Sequence, residues 1–159
     1  MMQNLKYTVL MSVYYKEKPE YLSLSIESML NQTVKPDEFI IVKDGPLTTE
    51  LDEVINNFVT AYPKMFNIIV NETNLGLGPA LAKGIENSKN ELIARMDSDD
   101  YVDRRMYAAM YTRAGSEELD LVECDFHYLE EDGREKRSYG SAAPWNKRAE
   151  IVVIKEADA

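Results

Sequence analysis

The sequence predicts an α/β fold, a mostly parallel sheet flanked by helices, and three observations carry that prediction. Strand-like and helix-like segments alternate through residues 7–96. The strand segments are near-continuous apolar runs, as expected of strands covered on both faces. The joins are short, which favours parallel neighbours linked by right-handed crossovers.

Tyr7-Thr8-Val9-Leu10-Met11-Ser12-Val13 reads as the first strand. Pro19 suits the first turn of a helix, and Tyr21, Leu22, Leu24, Ile26, Met29 and Leu30 give that helix an apolar face. Asn31-Gln32-Thr33 ends it. Glu38-Phe39-Ile40-Ile41-Val42 is the second strand. Residues 49–61 form a helix with Leu51, Val54, Ile55, Phe58 and Val59 inward. A third strand covers 67–70, a short helix 79–87, and a fourth strand 91–96. After Asp100 the rhythm changes. A helix is expected over 103–114 and a strand over 120–129. Glu131-Asp132-Gly133 is a turn, and 134–139 pairs back as a hairpin. Residues 141–144 read as loop and 151–154 as a late strand. No repeat or linker divides the chain, so one domain is expected over 1–159.

Composition narrows the function. At 45% hydrophobic and 29% charged, the chain reads as soluble and globular. No apolar stretch approaches the roughly 20 residues of a membrane span. The N-terminal Met1-Met2-Gln3-Asn4 shows no secretory pattern. The single cysteine, Cys124, excludes an internal disulfide and fits a reducing, cytoplasmic setting. It sits in an alternating segment and reads as a small core residue rather than a nucleophile. A net charge of −10 without a basic stripe excludes nucleic acid as a partner. The nearest basic segment, 134–137, is diluted by Glu135. His127 is the only histidine and lies in a strand pattern, which leaves no Ser-His-Asp or Cys-His set and no zinc constellation.

Chemistry concentrates in Met96-Asp97-Ser98-Asp99-Asp100, which follows the apolar run Leu92-Ile93-Ala94. Three carboxylates within four residues at a strand end can hold a hard divalent cation against a phosphate. The same residues also suit a turn followed by a helix cap, and alone the cluster leaves both readings open. Ligands of open α/β sheets bind beyond the carboxyl ends of the strands. That rim carries the loops 12–18, 43–48, 71–78 and 97–100. The first loop has no glycine, so a dinucleotide-binding fingerprint is absent, and no Walker loop occurs. Gly76 and Gly78 mark either a turn with positive φ or a close backbone approach to ligand. Asp44, in Val42-Lys43-Asp44-Gly45-Pro46, is either a turn residue or an acceptor for a base or ribose. Tyr14 and Tyr15 can stack on a base, and Tyr14 can equally cap the core.

Five pieces in order carry a resemblance. They are 8–14, 25–33, 38–45 with its Lys43-Asp44-Gly45 end, Asn74-Leu75-Gly76, and Met96-Asp97-Ser98-Asp99-Asp100. Over about residues 5 to 128 the chain resembles the inverting family 2 glycosyltransferases of the GT-A fold. The resemblance implies transfer of a sugar from a nucleotide-diphosphate-sugar donor, UDP by family frequency, to a hydroxyl acceptor. Ser12 and Tyr14 would border the base and ribose, with Glu17 helping to orient the nucleotide. Asp44 would contact the base, and Asp97 would lie near the ribose and sugar. Asp99 would ligate Mn²⁺ or Mg²⁺, Asp100 would support the metal or the sugar hydroxyls, and Arg95 would face either the phosphates or solvent. Trp145-Asn146-Lys147 resembles the family's acceptor-side segment.

The resemblance divides the chain into a donor-binding part, 1–100, and a partial acceptor-side part, 101–159. The family's general base is expected well beyond Trp145. Glu150, Glu156 and Asp158 are acidic but do not sit in its motif. The expectation is a chain shortened at its C-terminus, acting either as a glycosyltransferase or as a sugar-nucleotide-binding domain without turnover. The resemblance also implies a glycan or lipid-linked acceptor in polysaccharide assembly. Location at the membrane periphery and self-association through uncovered apolar surface complete these expectations.

Overall fold

The computed structural model describes residues 6–124, together with the backbone of 128–129, 135–136 and 153–155. The elements run β1 (Tyr7–Val13), α1 (Pro19–Leu30), β2 (Glu38–Asp44), α2 (Thr49–Ala61), β3 (Phe66–Asn71), α3 (Leu77–Glu86), β4 (Leu92–Arg95) and α4 (Met106–Glu117). Three short strands follow, β5 (Tyr128–Leu129), β6 (Glu135–Lys136) and β7 (Val153–Lys155). The main sheet has the order β3-β2-β1-β4-β7. Its first four strands are parallel, and β7 runs antiparallel to β4. The late strand therefore closes one edge, and β5 with β6 forms the expected antiparallel pair.

Alternation along the strands sends side chains into two cores. Val9, Met11, Val13, Phe39 and Ile41 join Leu22, Ile26, Met29, Leu51, Ile55 and Met110 on the face covered by α1, α2 and α4. Leu10, Ile40, Val42 and Ile93 pack with Ala80 of α3 on the other face. Strands buried on both sides are why β1 and β2 read as apolar runs.

The order of the strands decides where a ligand fits. From β1 the chain steps outward through β2 to β3, then returns to place β4 on the opposite side of β1. The direction of winding thus reverses between β1 and β4, and the loops leaving their carboxyl ends part to make a crevice. Those loops carry Tyr14 to Lys18 and Asp97 to Asp100.

Three expectations need correction. Of the strand expected over 120–129, Tyr128–Leu129 is strand, 120–124 is not, and 125–127 lies outside the described residues. Residues 121–124 have no regular structure, with Val122 buried and Leu121 exposed. Alternation marks an extended segment, and a strand also needs a neighbour to complete its ladder. Cys124 is half-buried against the larger core. The helix expected over 103–114 runs from Met106 to Glu117. Asp103 forms a turn ahead of it, accepting from Arg105 N at 2.8 Å. The helix of 79–87 begins earlier, at Leu77, because Gly76 with φ 93° turns the chain directly into it and leaves Pro79 in the first turn. His127, Trp145, Glu150, Glu156 and Asp158 lie outside the described residues.

Candidate functional site at the switch point of the sheet

The rim is built from the strand ends upward. Beyond Arg95, the Met96 amide still donates to Leu10 O at 2.9 Å, so the acidic loop departs from a fixed ladder. Asp97, Asp99 and Asp100 are exposed, whereas Ser98 between them is buried. The Asp97 carbonyl accepts from Ser25 Oγ of α1 at 2.9 Å. Arg95 Nη2 pairs with Asp97 Oδ1 at 2.9 Å, so Arg95 addresses a carboxylate of the loop. The carboxylates of Asp99 and Asp100 take no hydrogen bond from the described residues. Partial desolvation raises the Asp100 carboxyl above its ordinary range. Repulsion from Asp99, Asp97 and Glu17 adds to this, and Arg95 opposes it.

The loop after β1 supplies the facing wall. Tyr14 and Tyr15 are 43% and 52% exposed and meet edge to face at 6.0 Å. Exposure answers the alternative for Tyr14: its ring is offered to solvent rather than spent on the core. Glu17 turns its carboxylate inward, accepting from Lys18 N at 2.8 Å and from Ser98 Oγ at 2.5 Å. Ser12 lies half-buried one residue before the end of β1.

Asp44, at the end of β2, is buried and engaged through both carboxylate oxygens. Its Oδ1 accepts from Asn71 Nδ2 at 3.0 Å and Leu75 N at 2.9 Å, and its Oδ2 accepts from Gly76 N at 2.9 Å. It therefore ties β2 to the end of β3 and shapes the loop that enters α3. Lys83 Nζ extends this network, donating to Asn71 Oδ1 at 2.8 Å. Gly45 makes the approach possible: its φ is +90°, and a Cβ there would stand 2.8 Å from Asn74 N. Gly76 has the positive φ that the turn reading requires, with open space around it. Gly78 sits inside α3 and is also open. Lys43 turns aside to Asp52 Oδ1 at 2.7 Å.

The crevice thus joins Glu17 to the acidic loop and sets Ser12 and Tyr14 on the same rim. Asp44 lies one strand away, beyond β1. Sequence reasoning passed over Ser25, Gln32 and Ser98 as individual residues. Gln32 donates to Asp103 O at 2.8 Å and accepts from Tyr107 N at 2.9 Å, so it caps α4. Ser25 and Gln32 are seven positions apart, two turns of helix spacing, and both are buried. A buried polar residue needs a partner, but the burial of Ser25 and Gln32 is seen only in the structure.

A mostly parallel sheet, helices on both faces and an acidic loop at the switch point define a GT-A type, Rossmann-like fold. The Glycosyl transferase family 2 model matches residues 8–155, and the chain belongs to that family. Over 94 residues it is 43% identical to the amylovoran biosynthesis glycosyltransferase AmsE of Erwinia amylovora, covering 59% of this chain and 35% of that protein. It is 41% identical over 97 residues to the UDP-Gal:alpha-D-GlcNAc-diphosphoundecaprenol beta-1,3-galactosyltransferase of Escherichia coli, covering 60% and 34%. The chain spans about a third of the length of these curated relatives. Its fold is similar to that of the mannosyltransferase PcManGT from Pyrobaculum calidifontis in complex with GDP-Man and Mn²⁺. That match has a TM-score of 0.68 at 16% identity, over 78% of this chain and 36% of the other. S. aureus TarS 1-349 in complex with UDP matches with a TM-score of 0.62 at 20% identity, over 74% and 34%.

Proposed function

We propose that this chain is the donor-binding part of a glycosyltransferase that takes a sugar from a nucleotide-diphosphate sugar and passes it with inversion to a hydroxyl. The observation that carries the reading is the acidic loop at the switch point, with two carboxylates that no described residue satisfies. A diphosphate cannot settle against carboxylates without a cation between them. The donor set suits a hard divalent ion, because it offers only oxygens, and partial burial together with repulsion from its neighbours raises Asp100. Among the described residues no three acidic, imidazole or thiol groups form a complete cation site. The diphosphate and water would therefore supply the remaining oxygens.

Asp99 would hold Mn²⁺ or Mg²⁺, with Asp100 beside it. When bound, the metal supplies Lewis-acid stabilisation to a departing nucleoside diphosphate. The other tasks belong to the chain itself. Arg95 steadies Asp97, which lies toward the ribose and sugar. Tyr14 offers a ring face to the base, and Ser12 borders it. Asp44 Oδ2 accepts from a single protein donor and retains capacity for a base N–H.

UDP is the proposed nucleotide. The name of the Escherichia coli relative specifies UDP-Gal and a diphosphoundecaprenol-linked acceptor. A glycan or lipid-linked acceptor in polysaccharide assembly is proposed on the same basis, with residues 101–159 forming part of its side. Among the described residues no helix is long and apolar enough to cross a membrane. Docking of the protein to a membrane periphery belongs to the proposal. We assign no general base to the described residues, so donor binding is the part of the reaction proposed for this chain by itself.

The test is amide NMR on the labelled 159-residue chain. UDP with Mg²⁺ should shift signals of 12–17, 44–45 and 97–100, and Mn²⁺ should broaden those of 97–100. Shifts confined to other surfaces, or none, would contradict the reading.

A further inference from the structure

The contact between Glu17 and Ser98 crosses the crevice, linking the loop after β1 to the loop after β4. We propose that Glu17 is a positioning residue that holds the acidic loop through Ser98 rather than by touching the nucleotide. The inference rests on the donor-site reading above and specifies how that site is kept in shape.

The geometry is specific. Glu17 Oε1 is fixed by Lys18 N at 2.8 Å, where the chain enters α1. That leaves Oε2 for Ser98 Oγ, at a distance of 2.5 Å that belongs to a charge-assisted hydroxyl–carboxylate bond. Ser98 is the one buried side chain among the residues 97–100, so it works as the peg of an otherwise exposed loop. A carboxylate placed near Asp100 adds repulsion to an acidic site. Its bond to Ser98 gives a reason for keeping it there.

Two further ties come from the same segment. Ser25 Oγ holds the Asp97 carbonyl at 2.9 Å, and Gln32 Nε2 holds the Asp103 carbonyl at 2.8 Å. The entry to α1, α1 and the turn that follows it therefore form one mount, gripping the acidic loop from Asp97 to Asp103. Rigid support of this kind keeps ligand-holding oxygens in place before the ligand arrives.

A double-mutant cycle tests the proposal on the 159-residue chain. Its readouts are UDP titration with Mn²⁺ and hydrogen exchange of the 97–100 amides without ligand. Glu17→Ala and Ser98→Ala should each weaken Mn²⁺-dependent UDP binding about tenfold, and the double variant also about tenfold rather than about a hundredfold. Ser98→Thr keeps the hydroxyl and should restore binding. Exchange at Asp99 and Asp100 should accelerate equally in the single and double variants. Additive losses of affinity, or exchange that does not change, would overturn the proposal. If UDP fails to bind the wild-type chain, the donor-site reading falls. The exchange arm then decides the latch alone: equal acceleration sustains it, and no acceleration overturns it.

Discussion

Carboxylates occupy both ends of this sheet, and the two ends treat them in opposite ways. At the amino end of β2, buried Glu38 accepts from Thr8 Oγ1 at 2.8 Å and Lys89 N at 2.9 Å, with Lys89 Nζ 3.9 Å from its other oxygen. Thr8 is in turn held by Ser88 Oγ at 2.8 Å and Asn90 Nδ2 at 3.1 Å. At the carboxyl rim, Asp99 and Asp100 face like charges and take no described donor. Glu38 serves the fold through Oε2, which two donors hold against the cost of burying a charge, while its buried Oε1 has no hydrogen bond and only the Lys89 ammonium nearby. Carboxylates that serve a ligand leave that stabilisation to the ligand. Asp44 stands between these cases, a rim residue with three protein donors.

The largest effect that separates these classes is expected at Asp99. Asp99→Asn should weaken Mn²⁺-dependent UDP binding about a hundredfold and leave the melting temperature nearly unchanged. Titration and thermal melting in parallel read both, and an unchanged affinity would remove Asp99 from the ligands. Asp44→Ala should cost stability as well as binding, with a loss of about 3 kcal/mol in urea unfolding as three donors lose their acceptor. UDP binding by the folded fraction should weaken with or without metal. An unaltered unfolding curve would place Asp44 among the ligand-serving carboxylates instead.

A smaller effect tests the scaffold beneath both ends. A Cβ at Gly84 would collide with Leu10 Cδ1, so the close approach of α3 to the sheet leaves room there for a side chain only if buried Leu10 shifts. Gly84→Ala gains about 1 kcal/mol of helix propensity but overpacks the core by about 2 kcal/mol. A net loss near 1 kcal/mol is expected in urea unfolding, and a stabilised variant would show that α3 shifts without cost.

The smallest effect is the titration of Asp100. Partial burial and neighbouring carboxylates raise its carboxyl above the ordinary aspartate range, so the folded chain holds this proton more tightly than the unfolded chain. That contribution to stability is fully present below the ordinary aspartate range and is lost as pH rises through the raised value. The melting temperature of wild type relative to Asp100→Asn should therefore improve slightly on mild acidification. Mn²⁺-dependent UDP binding should weaken over the same window, because proton and cation compete. Parallel melts of the two chains check the first statement. A difference independent of pH would contradict it.

Much of the frame was legible because it rests on local rules. Apolar runs gave β1 and β2, and the apolar face with Pro19 gave α1 with its observed start. Residues 49–61 were placed at both ends, and Thr48 caps them by accepting from Leu51 N. The acidic loop was legible as chemistry from composition alone, and family resemblance moved it from turn to candidate site. Long-range bonds were not legible. The N-terminus of α4 depends on Gln32, 75 positions from Tyr107, so the helix expected from Asp103 begins at Met106 instead. The 121–124 segment alternates like a strand, but pairing is decided by neighbours that a pattern does not reveal. The Glu17–Ser98 bond spans 81 positions, and neither residue carries a local signal of it.

The most direct measurement is calorimetric titration of UDP into the chain, first with Mn²⁺ and then with EDTA. The account predicts binding that requires the metal, since the proposal gives Asp99 and Asp100 a cation to set against the phosphates. Binding of equal strength in EDTA would contradict the role given to Asp99 and Asp100. No binding in either condition would contradict the donor site itself.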